Sequence, residues 1–173
     1  EAPSRPSRWR EAQHQLPMRG GLSSEDEAGL MAKTFTAQIE EFAELTKRNM
    51  RYVATEAIQD VLEASQTSQP SVKQTGGSFQ EGKIPVDTSD LINSLTSEGV
   101  EGADSYVAVI AGMEIGDVLT FAWTQPYAMR IELGYVGIDA AGRQYNQAGR
   151  HFVGANAAKF SEFVETRVAE VRR

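Results

Sequence analysis

The chain has no cysteine, and only two histidines and two tryptophans among its 173 residues. Without thiols there are no disulfides, thiolate nucleophiles or cysteine-ligated metals. His14 and His151 stand far apart in sequence, with neither the ligand spacing of a zinc site nor the nucleophile-elbow pattern of a serine hydrolase. No apolar run approaches the roughly 20 residues that a membrane-crossing helix needs. A charged-then-apolar signal segment is not expected at the start either. Positive charge is scarce: 17 Lys and Arg face 24 Asp and Glu, for a formal net charge of -7. A dedicated nucleic-acid binder would normally carry a basic face instead. Thr75-Gly76-Gly77-Ser78 lacks the Gly-Lys-Ser/Thr ending of a phosphate loop. Asp139-Ala140-Ala141-Gly142 lacks the alternating oxygen ligands of a calcium loop. No catalytic, metal or cofactor residue is expected, and no enzyme activity.

What is present has the balance of a globular protein, with 40% hydrophobic and 24% charged residues. The first thirty residues differ from the rest. Pro3, Pro6 and Pro17 break the backbone, while Arg5, Arg8, Arg10 and Arg19 make the beginning basic and Glu25, Asp26 and Glu27 make its end acidic. Ordering this arm costs on the order of 1 kcal/mol per residue, roughly 30 kcal/mol in all. Burying Trp9, Leu16, Met18, Leu22 and Leu30 returns only about 1.5–3 kcal/mol apiece. Residues 1–30 are therefore expected to form an extended arm that orders only against a partner, with Arg5, Arg8, Trp9, Arg10 and Arg19 as its contacts. Residues 31–173 form the domain.

From Thr36, a plain N-cap candidate, Phe35, Ile39, Phe42, Met50, Val53, Ala57 and Val61 recur at helical steps, interrupted by Thr46 and Asn49. A helix over 37–65 spans roughly 43 Å. Residues 66–85 read as a long polar loop of the kind that is functional or mobile. Pro85 holds Ile84 extended, and Asp87, Thr88 or Ser89 can cap a short helix that sends Leu91, Ile92 and Leu95 to the core. Ser94 is expected to bond back to the preceding turn. Strands are predicted over 96–101, 106–111 and 118–124, with Tyr106–Ile110 central because it is apolar on both faces. Pro126 opens a helical turn that Gly134 ends, with Tyr127, Ile131 and Met129 or Leu133 against the sheet. Residues 135–149 suit a small hairpin. A last helix over 154–172 turns Val153, Ala157, Phe160, Val164, Val168 and Val171 to one side. Glu132, between Ile131 and Leu133, needs a donor: Arg130, Arg150 or a backbone amide. The expected fold is α+β, a small, mainly antiparallel sheet packed by a long N-terminal and a C-terminal helix, with long loops and an extended arm.

Three segments occur in a telling order: Ile84-Pro85-Val86-Asp87-Thr88-Ser89-Asp90-Leu91-Ile92-Asn93-Ser94-Leu95, then Tyr127-Ala128-Met129-Arg130-Ile131-Glu132-Leu133-Gly134, then Arg150-His151-Phe152-Val153. Together they make the region 31–173 resemble the tail-completion or head–tail joining (neck) proteins of long-tailed bacteriophages. Ser89 stands where that family usually has glycine, and Arg150-His151 where it usually has proline. The residues that carry the resemblance are Pro85, Asp87, Thr88, Leu91, Ser94, Tyr127, Glu132, Gly134 and Phe152. It implies a structural virion protein, assembled in the bacterial cytoplasm, that forms a homo-oligomeric ring of sixfold symmetry. It further implies contacts with the adjacent connector or stopper and with the tail terminator or tail tube proteins. Double-stranded DNA would pass through the ring, and the acidic net charge suits a conduit that does not grip phosphates. No membrane or cofactor is implied. A tail terminator or a connector stopper of the same neck is the nearest alternative. A small hydrolase or ligand-binding module, or a DNA-binding factor using the basic arm, are the alternatives from other classes.

Overall fold

The computed structural model describes the backbone of residues 24–172 and the side chains of residues 34–172. Arg5, Arg8, Trp9, Arg10 and Arg19 of the arm lie outside the described residues. The chain divides into two compact units, Glu1–Phe42 and Ala43–Arg173. Helix α1 (Ser24–Ser65) runs through that division and begins well before Thr36. Residues 24–30, expected in the extended arm, are thus helical. In sequence, Glu25, Asp26 and Glu27 are residue types that suit a helix start, and Ala28, Leu30, Met31, Ala32 and Lys33 are good helix formers. In the first unit α1 leaves Phe35 and Ile39 exposed.

The second unit opens with the end of α1. Strands β1 (Ser68–Pro70) and β2 (Ile84–Val86) pair in parallel around the one-turn helix α2 (Val72–Thr75). The segment expected to be a loop is therefore partly structured. Its clasp is Gln69, which donates to the Gln80 and Lys83 carbonyls at 2.7 and 2.8 Å and accepts the Gln80 amide at 2.7 Å. Helix α3 (Asp90–Asn93) follows, then strands β3 (Leu95–Ser97) and β4 (Val100–Glu101), joined by Glu98 and Gly99 with φ of 48° and 82°. Two consecutive positive-φ residues suit the right-handed twist of a tight hairpin.

Helix α4 (Ser105–Ala111) occupies the segment expected as the central strand. Tyr106 and Ile110, one helical turn apart, are both buried, while Val107 faces out. Strand β5 (Phe121–Trp123) pairs antiparallel with β3, giving the sheet order β4-β3-β5; it is shorter than the expected 118–124. Helix α5 (Ala128–Leu133) leads directly into the antiparallel hairpin β6 (Gly134–Ile138) and β7 (Gln144–Ala148). The C-terminal helix comes in two pieces, α6 (Gly154–Ala157) and α7 (Phe160–Val171). The fold is α+β, with a long N-terminal helix, a small antiparallel sheet and a C-terminal helix.

Two buried clusters hold this unit together. Leu62, Leu95, Tyr106 and Ile110 form one, with Ile58, Leu119 and Phe121 packed against it. Ile84, Leu91, Ala128 and Phe152 form the other, with Ile92, Ile131 and Val153 around it. Trp123 touches both, meets Phe152 edge to face at 5.2 Å, and donates its indole N–H to Gln66 Oε1 at 3.2 Å. Gln66 in turn donates to the carbonyls of Ile92 and Ala103 at 3.1 and 2.9 Å, so every polar atom of this bridge is used. Helix α7 contributes no fully buried residue, and Phe160 is exposed rather than inward. It docks on α1 through Arg167, which forks onto Asp60 at 2.6 and 2.9 Å and reaches Glu56 and Glu170. That fork, the bidentate geometry suited to a carboxylate, raises the Arg167 pKa, with the Asp60 hydrogen bond as the main cause.

Candidate functional site

The three motif segments converge in space. Leu91 and Phe152 meet in the second cluster with Ile84 and Ala128, so each segment supplies at least one side to the same core. Ile84 and Phe152 are almost entirely removed from water. Phe152 alone is worth about 3–5 kcal/mol of stability at such a position.

Glu132 finds backbone amides, not an arginine. Its carboxylate accepts the N–H of Val153 at 3.0 Å and of Gly154 at 2.8 Å, at the start of α6. Those amides would otherwise lack partners at a helix start. The backbone completes the staple: Arg150 N donates to Ile131 O at 2.8 Å and His151 N to Glu132 O at 3.0 Å. Arg130 stacks instead over the Tyr135 ring at 4.5 Å. Gly134 has φ of 85°, and a Cβ there would lie 2.6 Å from the Gln147 carbonyl oxygen. Any side chain would push the hairpin off α5, so this motif position needs glycine on two counts.

The first segment behaves as its polar residues suggest, with one difference. Ser94 Oγ donates to Leu91 O at 2.8 Å, as expected, and Ser94 O accepts both N and Oγ1 of Thr124. Ser89 occupies the N-cap position of α3, but with φ of 67° and without a side-chain cap bond. Thr88 donates to the Asp90 carboxylate, and Asp87 pairs with Lys73 at 2.7 Å, which raises the Lys73 pKa. The αL geometry of Ser89 is one that glycine would adopt without strain.

Between these segments lies a cleft of about 790 Å³ in the second unit. Pro85, Asp87, Thr88, Leu91 and Tyr127 of the motifs line it, together with Ser71, Phe79, strand β7 and Arg150. Ser94, Glu132, Gly134 and Phe152 are not among its lining residues. Burial, with the charge of Asp90 adding, raises the Tyr127 pKa. One of Met129 or Leu133 was expected against the sheet, but both face solvent, while Ile131 packs inward.

Arg150 is the residue that sequence reasoning underrated. Only 4% of it is exposed, the Phe79 ring covers its guanidinium at 3.5 Å, and burial lowers its pKa. Its sequence signal was its place two residues before Phe152 in the third motif segment. The remaining candidate loops serve the backbone: Asp139 accepts the Ala141 and Arg143 amides at 2.9 Å each and holds the tip of the hairpin. Among the described residues no group of three His, Asp or Glu side chains is placed to hold a metal ion. The cleft offers hydrogen-bonding and apolar groups suited to binding. Compared with known proteins, the chain matches no family model, and no curated protein or solved structure matches it significantly.

Proposed function

We propose that the chain is a structural subunit of a phage head–tail junction, forming a ring that completes the top of the tail and surrounds the path of the DNA. The observation that carries this reading is the exposed apolar surface on the motif-bearing segment. Met129 and Leu133, one turn apart on α5, are 67% and 63% exposed, and Val136 and Ile138, on one face of β6, are 78% and 62% exposed. A two-stranded hairpin is marginal on its own, and an apolar face this open marks a surface for a partner. The convergence of the three motif segments on one core supports the same reading.

The subunits of a closed ring meet head to tail, so the giving and receiving surfaces differ. The α5 and β6 face is one of the two, and its partner is the neighbouring copy in a sixfold ring. The connector or stopper and the tail terminator or tube protein contact the ring from above and below. The net charge of -7 suits a lumen that lets DNA pass without phosphate contacts.

Electron microscopy and sedimentation of the full chain, alone and with the adjacent neck and tail proteins, test the proposal. Closed rings, lost in a Val136→Thr, Ile138→Thr double variant that remains folded, are the expected result. A chain that stays monomeric under all these conditions overturns it. Co-assembly with the tail tube protein or with the connector then decides which layer the ring occupies.

A further inference from the structure

Arg150 is a buried cation with no carboxylate partner among the described residues. Of its five N–H donors, one is matched: Nη1 donates to Ala148 O at 3.0 Å. Nε is buried without a partner, and so is the hydroxyl of Ser71, which lines the same cleft. The other arginines set in partly buried positions are satisfied, Arg167 by Asp60 and Arg51 by two carbonyls of the α4 end. Unpaired buried charge is costly, and a protein keeps it where something else supplies the counter-charge.

The surroundings of Arg150 are rigid. Its amide donates to Ile131 O and its carbonyl accepts the Gly82 N–H at 2.7 Å. Asn156 pins Gly82 from behind by donating to its carbonyl at 2.8 Å. Phe79 closes one face of the guanidinium, and a guanidinium edge matches a planar, two-oxygen acceptor. In the cleft Lys73 pairs with Asp87 at 2.7 Å and Asp90 accepts from the Thr88 hydroxyl, so among the described residues Arg150 is the lining cation without an ion pair. Along the cleft runs β7, whose one strand partner among the described residues is β6, and a strand edge without a partner can accept an added strand.

We infer that this cleft binds an extended peptide segment that adds to the free edge of β7 and places a carboxylate on Arg150, with Ser71 as a second donor. The carboxylate is either the end of a chain or an Asp or Glu side chain, and the cleft is complete within one subunit. The site does not depend on the ring reading.

The test uses the full chain and three acetylated peptides of alternating valine and threonine. One ends in a free carboxylate, one is its C-terminal amide, and one is amidated but carries an internal glutamate. Binding is read from the Arg150 Nε–H resonance and from the β7 amide resonances in titrations. At least one of the two carboxylate peptides is expected to bind about tenfold or more tightly than the plain amide, and which one does distinguishes chain end from side chain. Equal binding of all three, binding of none, or a response to inorganic phosphate alone overturns the inference. Arg150→Met separates a ligand-binding role from a structural one. The expected outcome is a melting temperature equal to or above that of the parent, with the preference for carboxylate gone. A melting temperature several degrees lower, or a preference retained, would show that Arg150 serves the fold instead.

Discussion

Helix α5 has two apolar faces with opposite fates. Ala128 and Ile131 turn inward to Ile84, Leu91 and Phe152, while Met129 and Leu133 turn outward and continue onto Val136 and Ile138 of the hairpin. Both groups are equally hydrophobic in the sequence. Among the described residues the inner group packs into the core while the outer group stays exposed, so apolar character here has two destinations, one in the core and one on the surface to which the proposed function assigns a partner.

The sharpest break of that contrast is Phe152→Ala. It empties a fully buried site against Trp123 and is expected to lower stability by about 3–5 kcal/mol in chemical unfolding. Glu132→Ala comes next. It leaves the Val153 and Gly154 amides without their acceptor, and the expected loss is about 1–3 kcal/mol by the same measurement. Ser89→Gly should act in the opposite direction, raising stability by about 0.5–1 kcal/mol, because the backbone there already has φ of 67°. The Val136→Thr, Ile138→Thr double variant should change the stability of the isolated chain least, by no more than about 0.5 kcal/mol, while removing self-association. If it unfolds the chain, the outer face belongs to the fold and the contrast between the two faces fails.

Where local chemistry decides structure, the sequence was legible. The hairpin after Gly134, the turn ended by that glycine, the back-bond of Ser94 and the need of Glu132 for donors all follow from neighbours close in the chain. The segment 106–110 misled because an apolar run of this length fits a buried strand and a buried helix equally; Tyr106 and Ile110 pack as a helical pair against Leu62 and Leu95. The parallel pairing of Ser68–Pro70 with Ile84–Val86 rests on the side chain of Gln69 reaching Gln80 and Lys83, a tertiary contact without a local signature. Helix α1 started early because the acids at 25–27, read as the end of an arm, are also what a helix start favours. In the cleft, the motif residues were visible as a set, but the missing partner of Arg150 was not: a sequence records which donors exist, not which of them go unanswered.

The packing of Phe152 sets an order of events during synthesis. A chain made only as far as the hairpin already carries Ile84, Leu91 and Ala128, yet lacks the ring that closes their cluster and the amides that Glu132 grips. Such a nascent chain cannot present the α5 and β6 surface on a firm base. Contacts between residues so far apart in sequence form late, after the entropy of closing long loops has been met. A firm base for the α5 and β6 surface therefore forms only once residues 152–154 have emerged, and the association proposed for that surface waits for them.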